Sequence, residues 1–262
     1  MYLKSVVFII SASIVISCGS SHSDKKEEQI RVDMSEDSEA VPDSVQNSVR
    51  GNASFNQIPT APNSVILTGM HNHRLVTIYK SRLESGSSGG GSRISKFSYE
   101  YDENDSETEQ HYMPGIDILH GFNLLNVAHY DLASQKLNYF FKKPAFIKTL
   151  YYPSFWQDSI NKKPINRNYY LVSVYDEDTN KDTILNKKDL RHFYHFDSAC
   201  VVKTLLVPAD YSVMRSHYDW HNDVMYIYAS QDIDKNGMRD KKDPIHIFWI
   251  DLKKPTKAIQ MY

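Results

Sequence analysis

Two stretches of this chain carry oxygen-bearing side chains at a spacing that suits a hard cation. In Asp232-Ile-Asp234-Lys-Asn236-Gly237-Met238-Arg-Asp240-Lys-Lys-Asp243, an Asp or Asn falls at positions 1, 3, 5, 9 and 12 of a twelve-residue loop. Alternate side chains can converge on one point, Gly237 permits a sharp turn, and the carbonyl of Met238 adds a backbone donor. Calcium, with about six to eight oxygen ligands, is the ion this pattern serves. The stretch Asp178-Thr-Asn180-Lys-Asp182-Thr183-Ile184-Leu-Asn186-Lys-Lys-Asp189 repeats every oxygen position, with the Ile184 carbonyl in the place of Met238. An ordinary hairpin connection is also rich in Asp and Asn. These two loops stand out from that background because they are in register, Asp178 answering to Asp232 and Asp189 to Asp243. Thr183 occupies the turn position of the first loop, where positive φ is costly for a β-branched residue, so the first site is expected to be the weaker. The ion expected here is structural: it neutralises crowded carboxylates and pins a long connection.

Both stretches resemble the calcium loops of EF-hand and dockerin proteins, with Asp rather than Glu closing the site. Strands, not helices, are expected after each loop, so the resemblance extends to the loops alone.

The elements that would position these loops also repeat. Tyr170-Leu-Val-Ser-Val-Tyr175 precedes the first loop and Leu190-Arg-His-Phe-Tyr-His-Phe-Asp197 follows it. Val224-Met-Tyr-Ile-Tyr-Ala229 and Pro244-Ile-His-Ile-Phe-Trp-Ile-Asp251 flank the second, at the same interval that separates the loops. Short apolar runs bounded by Asn, Asp, Pro and Gly are strand signals, and 18 Tyr with 11 Phe suit a pleated, half-buried surface. A third copy is expected in Leu124–His129 with Lys136–Phe141, followed by Ile147–Leu150 as a match to Val202–Leu205. A degenerate fourth is expected in Leu75–Lys80 with Arg93–Tyr101, across the loop Ser85–Ser92. Repeats of this size complete one another's cores. Three or four strands per unit resemble the blades of periplasmic β-propellers of the TolB-like kind, most closely over residues 120–262. The expected fold is therefore all-β, a propeller-like array of about four antiparallel blades, with a β-sandwich as the alternative.

The N-terminus reads as an address. One lysine precedes the apolar run Val6–Ile16, too short to span a bilayer as a helix, which takes about 20 residues. Val15-Ile16-Ser17-Cys18 resembles the lipobox of bacterial lipoproteins, which implies that residues 1–17 are a signal peptide and that Cys18 carries a lipid. Gly19 after the cysteine implies the outer membrane, at its periplasmic face or the cell surface. Residues 18–62, rich in Ser, Asp and Glu, are expected to be a flexible tether, and 63–262 the folded body.

A net charge of −2 from 30 basic and 32 acidic side chains gives no clustered basic face for nucleic acid. Cys18 and Cys200 are the two cysteines, so no disulfide framework is expected. Cys200 reads as a small core residue in an apolar strand. His71 and His73 are expected in a solvated turn, Tyr218–Asp223 in a tight one. The sequence contains no nucleophile elbow, zinc-helix motif or phosphate loop. The function these features imply is a membrane-anchored, calcium-stabilised binding or scaffold module for a protein or glycan ligand. The alternative is an envelope hydrolase or lyase acting on glycan or peptide.

Overall fold

The computed structural model describes residues 60–80, 112–121 and 124–262, together with the backbone of Arg31–Val32. Cys18, Ser85–Ser92 and Arg93–Tyr101 lie outside the described residues. Among those described there is no helix. The strands are β1 (Arg31–Val32), β2 (Thr60–Leu67), β3 (His73–Lys80), β4 (Ile116–His120), β5 (Leu124–Asp131), β6 (Lys136–Tyr139), β7 (Phe146–Pro153), β8 (Asp158–Ile160) and β9 (Lys163–Ile165). They continue with β10 (Tyr169–Tyr175), β11 (Ile184–Leu185), β12 (His192–Asp197), β13 (Lys203–Leu205), β14 (Tyr211–Asp219), β15 (Val224–Gln231), β16 (Ile245–Asp251) and β17 (Ile259–Gln260).

Three antiparallel sheets carry the fold. The first has the order β2-β3-β5-β6, the middle one β13-β12-β10-β7-β4, and the last β14-β15-β16-β17; none closes on itself. A short hairpin, β8-β9, stands apart, and β1 pairs in parallel with β11 in the first Asp/Asn loop. Setting aside β4, which adds to an edge, each sheet is a four-stranded meander, and the three follow one another along the chain.

The middle sheet is apolar on both faces, which is why β10 shows no alternation: every one of its residues is buried. Tyr170, Val172 and Val174 share a core with Leu75 and Val127 of the first sheet. Tyr169 and Leu171 point the other way, into a core with Met225, Ile227, Phe248 and Ile250 of the last sheet. Each such side chain contributes roughly 1.5–3 kcal/mol by leaving water, so a strand buried on both sides favours an unbroken apolar run over alternation.

The middle and last sheets are equivalent strand for strand. Tyr169 pairs with Asp197 as Val224 pairs with Asp251, and Val174 pairs with His192 as Ala229 pairs with His246. The interval between equivalent positions shortens by one from the second strands to the third, because the middle sheet has one extra residue between β10 and its loop. The equivalence includes a defect. β7 carries one extra residue, Lys148, opposite the step from Ser173 to Val174; β14 carries Met214 opposite the matching step from Tyr228 to Ala229. A bulge at the same place in two sheets is a designed bend rather than an irregularity. Arg191 uses the second one, donating to the carbonyls of Val213 and Met214.

Several expected equivalences do not hold. Ile147–Leu150 lies in β7, the first strand of its meander, whereas Lys203–Leu205 is the last; the true counterpart of Ile147 is Val213. The interval from Ile147 to Val213 exceeds that between the later strands because β8 and β9 lengthen the connection from β7 to β10, while a tight turn joins β14 to β15. Leu124–His129 with Lys136–Tyr139 forms the third and fourth strands of the first sheet, and Leu75–Lys80 its second. They are parts of one unit, so the described residues form three repeated sheets, not four. Cys200 is buried, but in the turn after β12 at φ 57° rather than in a strand, with Val201 and Val202 exposed.

One ion pair closes the interface between the middle and last sheets. Arg167, just before β10, donates to both carboxylate oxygens of Asp223 at 2.6 and 3.1 Å, and to the carbonyls of Leu252 and Pro114. Both side chains are almost fully buried, at 1% and 3% exposure. Removing one partner of such a pair strands the other charge, a loss of about 3–5 kcal/mol. Arg167→Met should therefore lower urea-measured stability by about that amount. Adding Asp223→Asn should recover part of it, as a double-mutant cycle would show.

Candidate functional site

The two Asp/Asn loops sit at matching ends of equivalent hairpins, the first between β10 and β12 and the second between β15 and β16. Their backbones are folded by the same hydrogen bonds. In the second loop Asp232 accepts from the amides of Asn236 (3.1 Å) and Gly237 (2.8 Å). In the first, Asp178 accepts from Asp182 (3.2 Å) and Thr183 (2.9 Å). Asp234 and Asn180 each accept from the second amide downstream, as do Asn236 and Asp182. At the far end Asp243 accepts from the amide of Asp240 and Asp189 from that of Asn186, while Asp240 and Asn186 accept from Lys242 and Lys188. Side chains at positions 1, 3, 5, 9 and 12 thus tie each loop to itself in the same way.

The backbone conformations match too. Lys235 and Gly237 have φ of 57° and 74°, and Lys181 and Thr183 have 60° and 68°. Thr183 does adopt the left-handed conformation that its position demands, against the preference of a β-branched side chain.

The loops differ in how their carboxylates gather. Oxygens of Asp232, Asp234 and Asp243 lie within 4.8 Å of one another, and no other group of three acidic, His or Cys side chains this tight occurs among the described residues. Calcium binds oxygen at about 2.3–2.6 Å, so ligands on opposite sides of the ion are about 5 Å apart. The triad fits that sphere, with Asp232 buried, Asp243 half-buried and Asp234 exposed. Asn236 and Asp240, with the Met238 carbonyl, are the remaining candidates of this loop. The first loop has Asn180 where the second has Asp234, and its three carboxylates are not drawn together to that degree. Its closing Asp189 is buried and accepts from the amides of Thr179 and Asn186 at 2.9 and 2.8 Å. Burial nevertheless pushes its pKa up to about 6, with the charge of Asp178 adding to the effect. Asp178, Asn180, Asp182, Asn186 and the Ile184 carbonyl complete the first set.

Sequence spacing did not disclose that the loops touch each other. The Thr179 hydroxyl donates to the Gly237 carbonyl at 2.6 Å and accepts from the amide of Leu190 at 2.8 Å. A Cβ on residue 237 would stand 1.9 Å from the Thr179 carbonyl oxygen, so the position requires glycine both for its φ and for this approach. Thr179 occupies position 2, to which the oxygen pattern assigns nothing. Beside the first loop, Asp176 binds Nδ1 of the buried His192 at 2.7 Å. Burial alone would lower that imidazole's pKa; the contact and charge of Asp176, with the charge of Glu177 and the Ala209 carbonyl, together outweigh it and raise it.

The histidines are arranged otherwise than their spacing suggests. His71 stays in the turn before β3, and His73 reaches across to His129 on β5, Nδ1 to Nε2, at 2.6 Å. His217 lies on β14 and His221 in the turn after it. Comparison with protein-family models, with curated proteins and with solved structures finds no match for this chain. Among the described residues, fold and loops together define an all-β protein of three successive antiparallel meanders, two of which carry abutting Asp/Asn loops.

His129 supplies a pH test away from the loops. It is buried, and burial, then the neighbouring His73, lowers its pKa below the ordinary value near 6.5. The folded state therefore holds that proton less tightly than the unfolded chain. Its contribution is intact above pH 6.5 and is lost as pH falls toward the lowered value. His129→Gln should therefore keep more of its melting temperature than the parent chain does as pH is taken below 6.5.

Proposed function

We propose that this chain is a calcium-stabilised, propeller-like binding or scaffold module, anchored to the outer membrane through lipid on Cys18. The observation that carries the calcium reading is the shared hydrogen-bond skeleton of loops 178–189 and 232–243, with three carboxylates of the second within 4.8 Å. Asp232, Asp234, Asn236, Asp240 and Asp243 with the Met238 carbonyl would hold one ion. Asp178, Asn180, Asp182, Asn186 and Asp189 with the Ile184 carbonyl would hold a second, more weakly.

A bound cation would neutralise carboxylates that already order the loop, and through the Thr179–Gly237 contact it would stiffen the junction of the middle and last sheets. That is a structural role. The propeller reading rests on successive four-stranded meanders packed face to face in one sense. Stacked layers of a β-sandwich type are the other arrangement of such sheets. A lipid on Cys18, with its acyl chains at roughly 0.8 kcal/mol per buried CH₂, would hold the body at the membrane and leave its faces free for a protein or glycan ligand.

Calcium at about a hundredfold excess over its dissociation constant should add about 2.7 kcal/mol, or roughly 5–10 °C in melting temperature. Asp232→Ala should remove most of that gain, whereas Asp178→Ala should remove less. A melting temperature indifferent to both calcium and chelator would end the calcium reading. Separately, Cys18→Ala should abolish incorporation of labelled fatty acid and release the chain from the membrane fraction. Persistent labelling would refute the anchor.

A further inference from the structure

The packing of the three sheets is directional, and the direction leaves two unlike ends. The face that the middle sheet turns toward the last contains Tyr151, Leu171 and Phe193. The registers map these onto His217, Tyr226 and Ile247 of the last sheet, since Tyr151 pairs with Leu171 as His217 pairs with Tyr226, and Ser173 with Phe193 as Tyr228 with Ile247. The opposite face of the middle sheet, with Val172 and Phe196, packs on the first sheet. Its counterparts Ile227 and Ile250 pack on the middle sheet. Each sheet thus covers the one before it with the same face, head to tail.

The outer face of the last sheet is therefore the position that a following sheet would cover. It carries two cross-strand rows, His217-Tyr226-Trp249-Ile259 and Arg215-Tyr228-Ile247. None of these side chains belongs to either core and none is fully buried. The other end is complementary in kind. The outer face of the first sheet carries the rows Val65-Val76-Ala128-Tyr139 and Leu67-Arg74-Tyr130-Leu137. Val65 is 63% exposed, Tyr139 55%, and Leu67 and Leu137 47% each. Both ends of the stack thus carry rows in which aromatic and aliphatic side chains sit beside Arg215, His217 and Arg74, side by side rather than scattered.

We propose that the outer face of the last sheet docks on the outer face of the first sheet of a second copy of this chain, continuing between molecules the head-to-tail packing found within one. The occupant follows from the pattern. The packing places a further meander of the same kind on the Tyr226–Trp249 face, and the first sheet of another copy is such a meander, with Val65, Leu67, Leu137 and Tyr139 exposed on its outer face around the buried Ala128. The contact is heterologous, so two copies closing on each other make two identical interfaces, and copies that do not close extend into a filament. This holds whether or not the loops bind calcium.

The test is sedimentation equilibrium of the full chain in density-matched mild detergent across a wide concentration range. The expected result is a dimer or larger assembly. Tyr228→Lys with Trp249→Lys should weaken association at least tenfold, and so should Val65→Lys with Tyr139→Lys at the other end. The latter sites are exposed, so that variant reports on association even if the first pair impairs folding. In addition, one preparation carrying Val76→Cys and another carrying Tyr228→Cys should be joined to each other by a short bismaleimide after mixing. A monomer at every concentration, association that survives both lysine pairs, or no linking between the two cysteine preparations would each overturn the proposal.

Discussion

A strand buried on both faces is the constraint from which the rest of this structure follows. β10 has no solvent side: all its residues are buried, with Tyr170, Val172 and Val174 meeting the first sheet and Tyr169 and Leu171 the last. Such a strand cannot shift register without exchanging two packed faces at once. Its neighbours are fixed by the same demand: β7 and β12 must supply apolar side chains in both directions, and Tyr151 with Phe193 on one face and Leu150 with Phe196 on the other do so. The outer sheets, by contrast, need one committed face each. Their other faces are where exposed Val65, Leu67 and Ile259 are found.

The interface between the middle and last sheets is held at both ends by polar contacts of different kinds. At one end a buried guanidinium satisfies a carboxylate and two carbonyl groups, which fixes the turn before β15 against the entry to β10. At the other, Thr179 and Gly237 join the two loops backbone to side chain. In the loops the carboxylates have two tasks that reinforce each other. Accepting backbone amides bends the chain, and the bend brings the same oxygens together. A loop folded this way assembles a cation-sized cluster at Asp232, Asp234 and Asp243 without a separate positioning element.

Legibility from sequence tracked the length of the pattern. The twin hairpins were readable because the agreement is long from the loops to the closing Asp197 and Asp251, but the opening strands were aligned one residue out: Val224 answers to Tyr169, not Tyr170. The much shorter resemblance between Ile147–Leu150 and Val202–Leu205 was misleading. A short apolar run with one lysine suits a first strand, where Leu150 is buried, and also an edge strand, where Leu205 is exposed. Nor did local sequence separate Leu75–Lys80 from Leu124–His129 as members of one sheet, because the residues between them make the first meander discontinuous along the chain. Cys200 was legible as buried but not as a turn residue, since its apolar neighbours imitate a strand.

By itself the sequence determined the periodic elements and the pattern of the loops: Asp and Asn recur at fixed intervals, where their side chains accept the loop's own amides. Tertiary structure alone decided which strands share a sheet, which face of each sheet is covered, and that Thr179 lies against Gly237. Such contacts join positions far apart in the chain, and no local preference encodes them. They arise only when burying both faces of the middle sheet brings equivalent hairpins side by side.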